Sequence, residues 1–190
     1  MDTEISALIR GQLLRPVPEA RPGVGARAEA VPVAAVRDAD PAAAPPEVRT
    51  VTGETLFLSA VQRAELEDLC RRHGIPVMSR PDVWGDLLEP FLDTEFAPAR
   101  RAATAAALAR VGLDEAAVAE IRAEVGPLMV AYNSLHWDWA HLGLADLLDA
   151  ATGDTAPERY RIGPDRLPAF RARAMAIAEL GHTPGGPSRP

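Results

Sequence analysis

The first 56 residues contain no phenylalanine, tyrosine or tryptophan. Between residues 16 and 50 the chain consists mainly of Pro, Ala, Val, Gly and Arg. A segment of this composition buries too little apolar surface to offset the entropy that it loses on becoming ordered. We therefore expect residues 16–54 to form a flexible Pro/Ala-rich linker, extended in part by its prolines.

The segment ahead of this linker, residues 1–15, has apolar residues at helical spacing. They recur at intervals of three or four residues: Ile5, Leu8, Ile9 and Leu13. This pattern predicts a short amphipathic helix. Because so short a helix is marginal by itself, it would either dock in a groove of another protein or protein assembly, or pack back on its own domain. Residues 1–14 resemble the amphipathic peptides that target enzymes into bacterial compartments.

Helix start and stop signals follow one another closely from residue 55 onward. Capping residues or prolines open the segments, and glycines close several of them. The signals are Ser59 with Gln62, Gly74, Pro81, Pro98, Gly112, Asp114, Gly126 and Pro127. The sequence therefore predicts an all-α fold, a single bundle of five to six helices over residues 55–181. A disordered extension would precede it, and a disordered tail over residues 182–190 would follow it.

The stretch 131–142 concentrates the aromatic and ring-bearing polar residues of the chain. It holds two of the three tryptophans, one of the two tyrosines and two of the four histidines. We expect it to lie in a fifth helix over residues 127–151, apolar around most of its circumference and therefore central in the bundle. Tyr132 and Trp139 would share one apolar stripe of this helix, with Trp139 as a main anchor of the core.

Two polar residues, Asn133 and His136, fall on the apolar side of that helix. Burying such groups unpaired costs about 1–3 kcal/mol each, so both need partners. Glu95 is a natural partner for His136 if the second helix extends that far. Such a pair is either a structural hydrogen bond, a general-base unit or part of a metal-ligand set. Asp138 and His141, three residues apart, are expected to form a surface pair.

Charge and composition narrow the classes of function. The formal net charge is −7 and every basic residue is arginine, a balance that argues against nucleic-acid binding. No apolar run approaches the roughly 20 residues of a membrane span and no signal peptide is apparent, so we expect a cytoplasmic protein. Cys70 is the single cysteine, and no metal or phosphate-binding motif is complete. We expect no metal and no cofactor.

Two functions are compatible with these features. The first is a non-catalytic all-α interaction protein: an adaptor, regulatory subunit or antagonist of another protein that docks through its N-terminal segment and can form a homo-oligomer. The alternative is a small helical enzyme or ligand-binding protein with a pocket between the second and fifth helices. The walls of that pocket would be Trp84, Tyr132 and Trp137, and its polar groups Glu95, Asn133 and His136.

Overall fold

The computed structural model describes residues 5–9, 12–17, 27–138, 140–152 and 156–182. The chain divides into two compact units, with the boundary between Ser79 and Arg80. In the part of the chain that is described, the first unit contains a sheet and one α-helix, and the second contains five α-helices. The boundary therefore follows residue 79, whereas the sequence analysis places the start of the folded domain at residue 55.

Six strands form the sheet of the first unit. They are β1 (Ile5–Ile9), β2 (Gln12–Val17), β3 (Arg27–Val31), β4 (Val36–Asp40), β5 (Glu47–Thr50) and β6 (Thr55–Leu58). Their order across the sheet is β3-β2-β1-β6-β5-β4. Neighbouring strands are antiparallel except β1 and β6, which run parallel with Ile5 opposite Phe57. This parallel pair joins two antiparallel halves of three strands each.

The helix of the first unit, α1 (Arg63–His73), packs on the sheet. It ends where Gly74 adopts a left-handed conformation with φ 63°, and the Gly74 N–H donates to the carbonyl of Cys70. The chain then runs alongside β4, because Ala39 N donates to Pro76 O at 3.0 Å and Met78 N donates to Ala39 O at 2.9 Å. The buried core of this unit is Leu13, Val31, Ala39, Val48, Leu56, Leu58, Leu66, Leu69, Cys70 and Ile75.

A buried ion cluster lies beside this core. The Arg49 side chain is fully buried, and its Nε donates to the carboxylate of Asp38, which is also buried. Its other nitrogens donate to Glu47 Oε2, at 3.2 Å, and to the carbonyl of Met78. An arginine can be buried at a tolerable cost only when its donors are paired in this way.

The structure overturns the all-α prediction, since the first unit is built around a sheet. The predicted helix over residues 1–15 is wrong where the structure describes that segment, because Ile5–Ile9 is β1 and β2 begins at Gln12. The predicted linker over residues 16–54 is also wrong where the structure describes it, because β3, β4 and β5 lie there. The physical reason is that pairing with β6 orders a segment that has few large side chains of its own. The hydrogen bonds between strands stabilise this segment, and composition alone does not reveal them.

The second unit contains five α-helices among its described residues. They are α2 (Val83–Leu88), α3 (Pro98–Arg110), α4 (Glu115–His136), α5 (Leu144–Thr152) and α6 (Leu167–Ala178). A 3-10 turn over Glu89–Phe91 follows α2 directly. Asp114 caps α4, because its side chain accepts from Ala117 N at 2.8 Å.

The core of the second unit forms where its helices α2, α3, α4, α5 and α6 meet. Its fully or almost fully buried side chains include Trp84, Leu87, Leu88, Leu108, Met129, Leu142, Leu147 and Leu148. Trp84 belongs to this core, because its Nε1 donates to the carbonyl of Ala174 at 2.9 Å. Arg122 ties α4 to α2 by donating to the carbonyls of Leu87 and Asp86 at 2.9 and 3.0 Å.

The predicted fifth helix over residues 127–151 is corrected as well. Helix α4 passes through Pro127 and ends at His136, and α5 begins only at Leu144. Pro127 is exposed, so the carbonyl that loses its helical hydrogen bond to the proline can face water. The prediction of Trp139 as a core anchor falls on a residue outside the described part, as does nearly all of the predicted tail.

Candidate functional site

The end of α4 is the most unusual backbone in the described part of the chain. Trp137 follows the last helical residue with φ 57° and ψ 37°, the left-handed region, and its N–H donates to Asn133 O at 2.8 Å. Glycine normally takes this position, because a Cβ costs about 1–2 kcal/mol there. Among the described residues, Trp137 is the one non-glycine residue with a positive φ.

Asn133 holds this helix end in place from inside the unit. Its side chain is buried, and its Nδ2 donates to Phe91 O at 2.9 Å and to Asp138 O at 3.0 Å. Its Oδ1 accepts from Asp138 N at 2.7 Å. The Asp93 N–H also donates to Asp138 O, at 3.2 Å. The backbone on both sides of Trp137 is therefore fixed, while the Trp137 ring takes no part in the arrangement.

The exposed apolar side chains of the second unit are concentrated here. Trp137 is 70% exposed, Leu135 59% and Val130 58%. In the described part of the second unit these are all of the large hydrophobic side chains that are exposed, and they lie within eight residues of one another. Single exposed apolar residues are ordinary, whereas a group of them marks an interaction surface. We call Val130, Leu135 and Trp137 the α4 patch.

Tyr132 and His136 form a stacked pair beside the α4 patch. Their ring centroids are 4.0 Å apart with an interplanar angle of 15°, and His136 Nδ1 lies 2.9 Å from the carbonyl of Tyr132. The Tyr132 hydroxyl lies 3.5 Å from Asp146 Oδ1. Burial raises the pKa of Tyr132, and the carboxylates of Asp146, Asp149 and Asp138 raise it further. Tyr132 is therefore a neutral, buried support for the exposed His136 ring.

An ion pair fixes the loop that follows Trp137. His141 Nε2 lies 2.7 Å from Asp82 Oδ2, at the start of α2. The hydrogen bond to Asp82 raises the pKa of His141, against the opposing effect of burial. Burial by itself raises the pKa of Asp82, but the hydrogen bonds from His141 and Gly85 N outweigh it and lower that pKa. Asp146 Oδ2 also accepts from Gly143 N at 2.8 Å.

The predicted Glu95–His136 pair is absent. Both residues are exposed, Glu95 lies between the 3-10 turn and α3, and no hydrogen bond joins them. The imidazole bonds instead to its own helix backbone. Asn133 is buried as expected, although its partners are backbone groups. Asp138 does not pair with His141, whose partner is Asp82.

The residues predicted to bind a partner are distributed differently. Trp84 and Tyr132 are buried, and Trp137 is the one of the three aromatic residues that is exposed. Leu13 is buried in the core of the first unit. Ile5, Leu8 and Ile9 lie on β1, and their side chains are outside the described part.

Several residues around the site were not singled out from the sequence. Leu135 and Val130 lie in the segment predicted as a central helix that is apolar around most of its circumference, and the structure leaves both side chains exposed. Asp82 carried a detectable signal, since an aspartate directly before a helical segment is a typical cap, and it does accept from Gly85 N at 2.9 Å. Its pairing with His141 spans 59 positions and has no local signal.

The first unit has an open surface cleft of about 470 Å³. Its lining includes Pro41, Ala42, Glu67, Cys70, Ile75 and Val77. Burial raises the pKa of the Cys70 thiol, so the sulfur is held in its neutral, poorly nucleophilic form. The cleft is open and mostly apolar.

Comparison of the chain with family models, with curated proteins and with solved structures gives no match. None of the helices in the described part combines the length and the apolar character needed to cross a membrane. Nor do the described residues bring together three or more His, Cys, Asp or Glu side chains in an arrangement that could bind a metal ion.

Proposed function

We propose that this protein is a non-catalytic interaction protein that binds another protein through the α4 patch. One observation carries the proposal: Trp137 is 70% exposed on a backbone that favours glycine, while Asn133 and its hydrogen bonds fix the backbone around it. A strained residue of this kind persists when its surroundings enforce it, and such residues cluster at functional positions.

The physical chemistry of the patch suits a protein partner. An exposed tryptophan presents a large apolar surface, and a fixed backbone keeps the entropy lost on binding small. Tryptophan is also among the residues that contribute most to binding energy at protein interfaces. Leu135 and Val130 extend the apolar surface along α4. A partner that covered these three side chains would remove them from water with little loss of conformational entropy in the α4 backbone.

The alternative, a helical enzyme, has less support. Its predicted site needs a carboxylate close to His136, and Glu95 does not contact that ring. The donors and acceptor of Asn133 are used by Phe91 and Asp138, so its side chain is engaged in holding the loop. The Asp82–His141 pair does orient an imidazole, but no hydroxyl or thiol of the described residues is hydrogen-bonded to it as a nucleophile.

The route of docking also changes from the one expected from sequence. Residues 5–9 and 12–17 are strands of the sheet, so they are not a tethered helix available for a groove. The α4 patch takes the place of that segment in the proposal.

A photo-crosslinking experiment tests the proposal. A benzophenone amino acid is placed at the exposed Ser134, next to the patch, and in a matched protein at the exposed Ala119, near the other end of α4. We expect one discrete protein to crosslink at residue 134 and not at residue 119. The complex is then rebuilt from purified components, where Trp137→Gly should weaken binding at least about tenfold.

The matched control is Val61→Ser, which removes an apolar side chain that is 88% exposed in the first unit. It should bind as tightly as the wild type. The proposal is wrong if residue 134 yields no discrete product, if residues 119 and 134 capture the same proteins, or if Trp137→Gly binds the purified partner normally.

A further inference from the structure

The negative charge of the protein is concentrated in one part of the chain. Residues 123–158 contain six aspartates and glutamates and no arginine or lysine, so this segment carries −6 of the formal net charge of −7. The rest of the chain contains all 20 arginines and is close to neutral. The α4 patch lies inside this acidic segment.

Three of the described carboxylates of this segment, those of Asp138, Asp146 and Asp149, lie near the end of α4, whereas Glu124 is paired with Arg173. Asp138 follows Trp137 directly and is half-buried, and its carbonyl accepts from the N–H of Asp93, which is exposed. Asp146 and Asp149, on α5, are close enough to Tyr132 to raise the pKa of its hydroxyl together with Asp138. The C-terminal end of α4 adds the negative pole of a helix dipole at the same place.

Two arginines of the second unit, Arg100 and Arg122, are engaged elsewhere and do not offset this charge. Arg100 is paired with Glu89 at 2.7 Å, so together they are neutral. Arg122 donates to the carbonyls of Leu87 and Asp86, on the side of α4 that packs against α2. The surroundings of the α4 patch therefore attract cations and repel anionic surfaces such as nucleic acids and acidic membranes.

We propose that the α4 patch binds a cationic amphipathic segment of a partner protein, with an apolar side chain against Leu135 and Trp137 and arginine or lysine side chains facing Asp93 and Asp138. This inference rests on the proposed function and adds the chemistry of the partner to it. An arginine or lysine side chain can also lie over the exposed indole of Trp137, where a ring face attracts a cation. Charge complementarity of this kind speeds encounter and selects among partners.

Three synthetic peptides serve as probes for this inference. They share one length and one helical leucine pattern, and their charged positions are all arginine, all glutamine or all glutamate. Binding of each fluorescent peptide to the full-length protein is measured by anisotropy. We expect the arginine peptide to bind at least about tenfold more tightly than the glutamine peptide, and the glutamate peptide to show no binding. Raising the salt concentration should weaken binding of the arginine peptide.

Two double variants separate local charge from overall charge. Asp93→Asn with Asp138→Asn should weaken binding of the arginine peptide about tenfold. Glu115→Gln with Asp165→Asn removes the same charge from exposed positions elsewhere in the second unit and should leave binding unchanged. Trp137→Gly should also weaken binding about tenfold, which shows that the apolar patch is part of the site.

Each contrary result has a distinct meaning. The arginine and glutamine peptides could bind equally well, with binding of both lost in Trp137→Gly. That result would overturn the inference that the partner is cationic, but it would leave the proposed function standing. Equal effects of the two double variants would overturn it as well, since the attraction would then be non-specific. Self-association that disappears in Trp137→Gly would make a second copy of this chain the occupant, and would also overturn it. Failure of the proposed function is seen separately, in the crosslinking experiment.

Discussion

Asn133 and Asp138 are joined by two hydrogen bonds that close the end of α4. The Asn133 Nδ2 donates to Asp138 O at 3.0 Å, and its Oδ1 accepts from Asp138 N at 2.7 Å. The side-chain amide of Asn133 therefore pairs with both the N–H and the carbonyl of Asp138, as a residue on a neighbouring strand would. Trp137 lies between the two partners, and this closure keeps it in the left-handed conformation. One buried side chain thus determines the position of the exposed one.

Replacing Asn133 should destabilise the second unit. In Asn133→Ala, the Phe91 carbonyl and the Asp138 N–H lose this partner, while the Asp138 carbonyl keeps the Asp93 N–H, and we expect the free energy of unfolding to fall by about 1–3 kcal/mol. Urea denaturation followed by tryptophan fluorescence measures this unit, because all three tryptophans of the chain follow residue 79. Ser134→Ala, at an exposed neighbour, is the control and should change little. A similar loss in both variants would contradict the role assigned to Asn133.

Trp137 should be removable without loss of stability. Its ring is mostly exposed, so truncation uncovers little apolar surface, and glycine relieves the cost of a Cβ at φ 57°. We expect Trp137→Gly to be more stable than Trp137→Ala by about 1 kcal/mol, because alanine keeps the Cβ. Chemical denaturation of the two variants side by side gives this difference. An alanine variant as stable as the glycine variant would show that the backbone is not held in the left-handed region.

The second unit was largely predictable because its signals are local. Two of the predicted start signals do mark helix ends, since Pro98 opens α3 and Asp114 caps α4. Each signal acts within one turn of helix, so it can be read from a few neighbouring residues. Gly126 and Pro127 were the exception, since together they predict a break that α4 does not have.

The sheet was not predictable in the same way. Ile5 is opposite Phe57, so the pairing of β1 with β6 joins residues far apart in the sequence. The apolar triplet Leu56-Phe57-Leu58 is typical of a short strand, but nothing in the sequence around it indicates its partners. Its neighbours β1 and β5 were assigned to a helix and a linker. Strand propensity depends on such contacts more than on the residues themselves. An alanine- and proline-rich composition therefore does not exclude a strand, although it predicts a linker.

The candidate site was predicted in part. Asn133 and Trp137 were singled out because polar and aromatic residues are concentrated near residue 135, and both are central to the site. Their roles were assigned on the assumption of one continuous helix, which placed His136 in the core. The helix ends at His136, so that ring is exposed. The left-handed conformation of Trp137 after the helix, and the exposure of its side chain, cannot be predicted from the spacing of apolar residues in the sequence.

Trp84 should behave in the opposite way to Trp137. It is 3% exposed and its Nε1 donates to Ala174 O at 2.9 Å, so Trp84→Ala leaves a cavity and an unpaired carbonyl. We expect the free energy of unfolding to fall by about 3–5 kcal/mol. Trp84→Phe, which keeps most of the volume, should lose less. Calorimetry or urea denaturation of both variants tests this order, and an alanine variant with wild-type stability would contradict the packing of α2 against α6.

The buried cluster of the first unit gives a further prediction. Arg49→Met leaves Asp38 buried without its main partner, and we expect a loss of about 3–5 kcal/mol. Adding Asp38→Ala should restore part of it, because it removes a buried carboxylate that has lost its buried partner and keeps the partly exposed Arg37, at 2.6 Å. Hydrogen exchange of the β5 and β6 amides reports on this unit.

A surface pair provides the matched control for Arg49. Arg72→Met breaks the pairing with Asp68, at 2.7 Å, where both side chains are more than 40% exposed, and it should cost less than about 1 kcal/mol. The prediction fails if Arg49→Met and Arg72→Met have similar effects, or if removing Asp38 makes the Arg49 variant worse.

The Asp82–His141 pair should make stability depend on pH. The pKa of His141 is raised by Asp82, so its contribution is complete below the ordinary histidine pKa of about 6.5 and is lost as the pH rises through the folded value. The pKa of Asp82 is lowered, so its contribution is present above about 3.9 and is lost as the pH falls through the folded value. The pair therefore stabilises the second unit most between about pH 4 and 6.5.

Thermal or urea denaturation at pH 5.5 and pH 8.5 tests this dependence with His141→Gln beside the wild type. Both side chains are more than 40% exposed, so solvent limits the contribution to less than about 1 kcal/mol. The wild type should exceed the variant at pH 5.5 by more than it does at pH 8.5. Nearby Asp138, Asp146 and Arg80 also act on the pair, and they remain in both proteins. Because they are common to both, an equal stability difference at the two pH values would show that the titration of His141 is not linked to folding.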